Sequence, residues 1–186
     1  MAHIVLFHSA YGLRPAVLDA AARLRRAGHR VVSPDLYEGL VAATLEEAIA
    51  LRDRFGREEL LRRAQAAVQQ APPGTVLAGL SLGASLALRV AARDPRFVRL
   101  LLLHGVTDPP EALPAPWRVQ VHLSEEDPWA PPAEVAGWRL ALERLGAAVE
   151  LHHYRAGHLF TDPELPDHEP RAAAAAWSRA ESFLAA

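Results

Sequence analysis

One serine of the sequence lies in a setting that suits a nucleophile. Residues 79–83 read Gly-Leu-Ser-Leu-Gly with Ser81 at the centre, between an apolar run and a stretch of helical periodicity. A G-x-S-x-G pentapeptide between a strand and a helix is typical of a tight turn that lifts the serine hydroxyl clear of a sheet. We therefore predict that Ser81 is a catalytic nucleophile. An ordinary tight turn from strand to helix is the alternative.

A serine hydroxyl becomes reactive beside a base, and the base needs an acid to orient it. Two later loops supply these groups, since Asp127 follows one apolar run and His158 follows the next. We predict that His158 takes the proton of Ser81 through Nε2 while Asp127 accepts the Nδ1–H. Three other carboxylates are alternatives to Asp127 as the acid: Glu125, Glu126 and Asp108.

The negative charge of a tetrahedral intermediate needs two backbone N–H groups as hydrogen-bond donors. We expect one from Leu82, the residue after the nucleophile, and one from Ala10, in the loop after the first apolar run. Five side chains in loops that follow the apolar runs are expected to line a substrate pocket: His8, Tyr11, Tyr37, Trp129 and Phe160. For each of them, local packing is the alternative. For His8, a hydrogen bond that anchors its own loop is an equal alternative.

The hydrophobic pattern predicts the elements that position these residues. Longer amphipathic stretches alternate with short apolar runs at 3–7, 30–33, 75–80, 98–104, 119–123 and 149–154. Continuous apolar runs of this length suit strands that are buried on both faces of a parallel sheet. The alternation predicts an α/β fold, a three-layer α/β/α sandwich around a mostly parallel six-stranded sheet. Residues 44–70 are predicted to be helical, with a break near Gly56.

Composition excludes several kinds of chemistry. The 186 residues include no cysteine, and the 20 residues counted as lysine or arginine are all arginine, so a thiolate, a disulfide or a Schiff-base lysine is excluded. The histidines lack metal-ligand spacing, and the first loop lacks the glycine pattern of a dinucleotide site. We therefore expect no metal and no cofactor.

Charge and length limit the kinds of partner and the number of domains that we expect. A formal net charge of −2 argues against nucleic acid or a membrane surface as a partner, because both require an excess of cations. We expect a single domain over residues 1–186, a small-molecule partner, a cytoplasmic location, and either a monomer or a homodimer.

Taken together, the motifs resemble the dienelactone hydrolase family of α/β-hydrolases. The resemblance covers most of the chain and rests on five segments: residues 7–12, 33–37, 79–83, 127–128 and 154–160. The order of nucleophile, acid and base along the chain is also that of α/β-hydrolases. The resemblance implies a minimal α/β-hydrolase fold, a triad of Ser81, Asp127 and His158, and Ala10 and Leu82 as oxyanion donors.

Three positions depart from the family pattern. The usual nucleophile of the family is a cysteine, which is replaced by Ser81. A glutamate of the first loop is replaced by Ser9, and an arginine that holds the substrate carboxylate is replaced by Asp162. A dicarboxylate-like dienelactone is therefore a doubtful substrate, whereas hydrolysis of an ester by a serine survives all three changes.

These observations predict a serine hydrolase that cleaves a small carboxylic ester, lactone or thioester through an acyl-enzyme. The connection at 105–116 is short and rich in proline, which predicts an open site without a lid domain and a small acyl group. A non-catalytic protein that binds a small ligand on the same fold is the alternative. Acyl transfer or perhydrolysis would use the same residues as hydrolysis.

Overall fold

Six short segments form one sheet in the computed structural model, which describes residues 1–186. The strands are β1 (His3–Phe7), β2 (Arg30–Val32), β3 (Val76–Leu80), β4 (Arg99–Leu103), β5 (Arg118–Ser124) and β6 (Ala148–Tyr154). They lie in the order β2-β1-β3-β4-β5-β6, and every neighbouring pair is parallel. The predicted six-stranded sheet is confirmed, and it is wholly parallel.

Helices cover both faces of the sheet. They are α1 (Pro15–Arg26), α2 (Leu45–Phe55), α3 (Arg57–Ala67), α4 (Leu82–Ala91), α5 (Pro132–Arg144) and α6 (Pro170–Ala185). Successive strand residues point to opposite faces. Ile4 and Leu6 of β1 belong to a core cluster with residues of α1 and α6, whereas Val5 and Phe7 belong to a cluster with residues of α3, α4 and α5. The predicted three-layer α/β/α sandwich is therefore confirmed.

The helical region at 44–70 is divided at Gly56, as predicted. α2 begins with a capping box, in which Thr44 Oγ1 accepts the Glu47 N–H and the Glu47 carboxylate accepts the Thr44 N–H, both at 3.2 Å. Gly56 has φ +75° and caps the end of α2 and the start of α3. A residue with a side chain rarely adopts that conformation, so the break follows from the glycine.

The connection between β4 and β5, residues 104–117, contains no helix. No inserted element therefore covers the carboxyl edge of the sheet between these strands, in agreement with the prediction of no lid. None of the six helices combines the length and the hydropathy that crossing a bilayer requires.

The turn from β3 into α4 has no room for side chains at its two glycines. Ser81 alone separates the strand from the helix. A Cβ atom on Gly79 would lie 2.1 Å from the carbonyl carbon of Gly83, and a Cβ on Gly83 would lie 2.3 Å from the backbone oxygen of Phe7. The first turn of α4 therefore lies directly against the end of β1.

Two helical glycines offer a matched test of this contact. In Gly83→Ala the new methyl group collides with the Phe7 carbonyl, so we expect the free energy of unfolding to fall by about 1–3 kcal/mol. In Gly137→Ala, within α5, nothing lies within 4 Å of the new methyl group, and we expect a gain of about 0.5–1 kcal/mol from helix propensity. Urea denaturation measures both, and changes of the same sign would contradict the close packing of α4 on β1.

Candidate active site

Three side chains that the sequence singled out meet at the carboxyl edge of the sheet. Ser81 follows β3, Asp127 follows β5 and His158 follows β6. Ser81 Oγ lies 2.8 Å from Nε2 of His158, and Nδ1 of His158 lies 2.5 Å from Oδ2 of Asp127. The parallel strands thus bring together residues that are up to 77 positions apart in the chain.

The Asp127 carboxylate is held on both of its oxygens. Its side chain is fully buried, and Oδ1 accepts the Trp129 N–H at 2.9 Å, which leaves Oδ2 for His158. A carboxylate in this position can accept the Nδ1–H of the imidazole and so fix its tautomer. Nε2 of His158 is then the nitrogen that can accept a proton from Ser81.

The alternative acids lie away from His158. Glu125 and Glu126 are both exposed, and the Glu125 carboxylate pairs with an arginine at 3.3 Å. The side chain of Asp108 is 94% exposed. Of the four carboxylates considered from the sequence, only Asp127 contacts the histidine.

Ser81 has a strained backbone. Its φ of +53° and ψ of −107° lie outside the regions that residues with side chains ordinarily adopt. Its N–H donates to the Leu103 carbonyl at 2.8 Å, and its own carbonyl accepts the N–H of Ala84 at 2.9 Å. Strain of this kind persists only where the surrounding structure fixes it, and it clusters at functional sites.

Two backbone N–H groups without a partner belong to residues that line a cavity together with Ser81. Leu82 is the first residue of α4, where an N–H has no intrahelical acceptor. Neither the Leu82 nor the Ala10 N–H donates a hydrogen bond within the protein, and both residues border the cavity. The two groups are therefore available to an acceptor on a bound molecule.

A buried histidine holds the loop that carries Ala10. His8 is fully buried, its Nδ1 lies 2.7 Å from the Ser9 carbonyl oxygen, and its Nε2 accepts the Leu36 N–H at 3.1 Å. Burial lowers the pKa of His8, and a neutral ring has the one donor and one acceptor that these bonds need. The prediction that His8 lines the pocket is wrong, and the alternative of an anchoring hydrogen bond describes it.

The cavity at Ser81 and His158 has a volume of about 510 Å³, within the range of small-molecule sites. Its apolar lining comes from α2, α3, α4 and the loop after β4: Leu45, Ile49, Leu60, Leu86 and Val106. Three arginines also border it: Arg52, Arg57 and Arg89. Arg57 is exposed and the Arg52 side chain is 38% exposed, so both also face solvent. No group of three or more His, Asp or Glu side chains is placed to hold a metal ion.

The aromatic residues predicted for the pocket divide into two groups. Two of them line the cavity: Tyr11 and Trp129. The prediction is wrong for Tyr37 and Phe160, because both are fully buried and neither lines the cavity. Tyr37 stacks on Phe55 with 5.0 Å between ring centroids, and Phe160 packs edge-on against His104 at 4.6 Å.

Sequence reasoning missed His104, which follows β4 and lines the cavity. The ring is fully buried, and its Nε2 lies 2.6 Å from Thr161 Oγ1. The available signal was a polar residue at the end of a run of leucines, directly before a glycine. Asp162, where the family has a substrate-binding arginine, does not line the cavity; its carboxylate lies 3.8 Å from the guanidinium of Arg14.

Comparisons with known proteins agree with this architecture. The model of the dienelactone hydrolase family matches residues 1–186. No curated protein matches the sequence. Solved structures that are similar include a dienelactone hydrolase-like promiscuous phosphotriesterase from metagenomic libraries, with 23% identity and a TM-score of 0.80 over 100% of this chain and 86% of that chain.

Two further solved structures have the same fold. A Klebsiella pneumoniae protein assigned as a dienelactone hydrolase has 16% identity and a TM-score of 0.81, over 100% of this chain and 87% of that chain. The esterase PE8 has 19% identity and a TM-score of 0.65, over 99% of this chain and 91% of that chain. Since the family model spans every residue of the sequence, the chain belongs to the dienelactone hydrolase family, and it is an α/β-hydrolase that acts on ester bonds.

Proposed function

We propose that the protein is a serine hydrolase that cleaves small carboxylic esters, lactones or thioesters through an acyl-enzyme on Ser81. The observation that carries this proposal is the chain of contacts from Ser81 Oγ to His158 Nε2, at 2.8 Å, and from His158 Nδ1 to the buried Asp127 carboxylate, at 2.5 Å. A hydroxyl, a base and an orienting acid in this order are the parts that nucleophilic catalysis by serine needs.

In the acylation step, Ser81 Oγ attacks the carbonyl carbon of the substrate while its proton passes to Nε2 of His158. The imidazolium that forms is stabilised by Asp127, whose carboxylate faces Nδ1. His158 then gives the proton to the leaving alcohol or thiol as the tetrahedral intermediate collapses to the acyl-enzyme. Water attacks the acyl carbon in the same way, with His158 again as base, and the acid product leaves Ser81.

The oxygen of the tetrahedral intermediate carries the developing negative charge. The N–H groups of Leu82 and Ala10 have no other acceptor, and both residues border the cavity beside Ser81. The N-terminus of α4 adds the favourable end of the helix dipole. These donors are already in place before the reaction, so no reorganisation is required when the charge appears.

The first prediction of the proposed function concerns the nucleophile. We expect Ser81→Ala to lower kcat/KM for p-nitrophenyl acetate by at least about 10⁴-fold, because no other hydroxyl replaces the attacking oxygen. Mass spectrometry should find a fluorophosphonate probe on Ser81 of the wild-type protein. The control is Ser178→Ala, at an exposed position of α6, which should keep both the turnover of p-nitrophenyl acetate and the labelling of Ser81. Equal turnover by wild type and Ser81→Ala would favour the non-catalytic binding protein instead.

The second prediction separates the candidate acids. Asp127→Asn leaves an amide at Nδ1, which stabilises neither the required tautomer nor the imidazolium, so we expect kcat to fall by about 10³- to 10⁴-fold. Glu126→Gln changes an exposed neighbour in the same turn and should leave kcat within about 2-fold of wild type. Steady-state kinetics on folded protein, checked by circular dichroism, measures both, and the reverse ranking would identify Glu126 as the acid.

The third prediction concerns the acyl group. The cavity walls are apolar on α2, α3 and α4, so kcat/KM should rise from p-nitrophenyl acetate to butyrate by up to ~4-fold per added CH₂. Ile49→Trp, which fills the cavity from α2, should reduce turnover of butyrate far more than turnover of acetate. Leu140→Trp, on the exposed face of α5, is the control and should leave the series unchanged. A series of equal rates would place the acyl group outside this cavity.

A further inference from the structure

We propose that His104 is a positioning residue that holds the loop of His158 in its catalytic place. The inference deepens the proposed function and rests on it. His104 follows β4, and its ring lies 6.3 Å from the ring of His158, centroid to centroid. It makes no hydrogen bond with the side chains of Ser81, His158 or Asp127, so its bonded connection to the base runs through the loop that carries His158.

His104 contacts two successive residues of that loop. Its Nε2 lies 2.6 Å from Thr161 Oγ1, and its ring meets Phe160 edge-on, with centroids 4.6 Å apart. A second attachment comes from Asp167, whose carboxylate accepts the Leu159 N–H at 3.2 Å. Each of the three residues that follow His158 therefore has a contact that restrains it, two of them from His104 and one from within the loop.

The backbone of His104 is itself fixed to the sheet. Its N–H donates to the His122 carbonyl at 2.8 Å, just beyond the last paired residues of β4 and β5. Its φ of +65° lies in the left-handed region, which residues other than glycine occupy uncommonly. The ring is thus fixed relative to the sheet, and the loop of His158 is fixed relative to the ring.

Packing alone does not account for a histidine at this position. The ring is fully buried, yet its Nδ1 has no hydrogen-bond partner, which costs stability relative to an apolar ring of similar size. A phenylalanine would fill the same space without that cost, but it could not bind Thr161. The hydrogen bond to Thr161 is a side-chain contact that histidine makes here and that an apolar aromatic residue could not make.

The charge of His104 also suits a position behind the base. Burial lowers the pKa of His104 well below its usual value, and the neighbouring His158 and His122 lower it further. The ring therefore stays neutral when His158 takes the proton of Ser81. A cationic residue in the same place would repel the imidazolium, whereas a neutral ring positions the loop without opposing the proton transfer.

The test compares three variants of the Thr161 contact. Thr161→Val removes the hydroxyl at nearly constant volume, Thr161→Ser retains it, and His104→Phe removes the nitrogen from the other side. Active sites are counted by titrating Ser81 with a fluorophosphonate. We expect kcat per active site to fall about 10- to 100-fold in Thr161→Val and His104→Phe, while KM stays within about 2-fold of wild type. The serine variant should restore kcat, and the double variant His104→Phe, Thr161→Val should be no slower than either single variant.

A second measurement does not depend on turnover. The proton on Nδ1 of His158, which faces Asp127, gives an NMR resonance that we expect in wild type and Thr161→Ser and expect to be lost or shifted in the other two variants. Unchanged kcat per site with an unchanged resonance would show that His104 only packs. Losses that multiply in the double variant, or that serine fails to restore, would also overturn the proposal. If wild type binds no probe and cleaves no ester, the proposed function fails while the resonance still tests the positioning.

Discussion

The first turn of α4 lies against the backbone at the end of β1, and the candidate active site depends on this contact. Gly79 and Gly83 permit it because neither has a side chain. It fixes Ser81 and the Leu82 N–H relative to the loop that carries Ala10. His8 then ties that loop to the loop after β2 through the Leu36 N–H. The hydroxyl and both candidate oxyanion donors therefore form one rigid unit that is assembled largely by backbone contacts.

The electrostatics of the site follow from burial. The Asp127 side chain is fully buried, whereas the His158 side chain is 15% exposed. Other histidines nearby are neutral because burial disfavours their charged form: it lowers the pKa of His8 and His104 and that of His122 to about 3. Among these residues, His158 alone combines contact with the cavity and a carboxylate partner, so the mobile proton of the proposed reaction has one defined carrier.

The sequence predicted the parts of the site that depend on strand ends and backbone turns. The G-x-S-x-G turn, and the loops after β5 and β6, could be placed because a parallel sheet brings all its carboxyl ends to one edge. Side-chain direction was not predictable, since Tyr37 and Phe160 lie in the expected loops but turn inward to pack on Phe55 and His104.

The arginines of α2 and α3 show a second limit of the sequence. Arg52 and Arg57 alternate with acidic residues, a pattern typical of a solvated helix face. Both do face solvent, but they also border the cavity, which the pattern does not show. α2 and α3 form one wall of the cavity and meet at Gly56. The neighbouring Phe55 ring stacks on the Tyr37 ring, with centroids 5.0 Å apart, and the guanidinium carbon of Arg63 lies 4.7 Å from the Phe55 centroid. The angle of the wall thus depends on one backbone joint and one aromatic stack, and no residue of the triad takes part in either. The cavity can consequently diverge in width while the arrangement of Ser81, His158 and Asp127 stays constant.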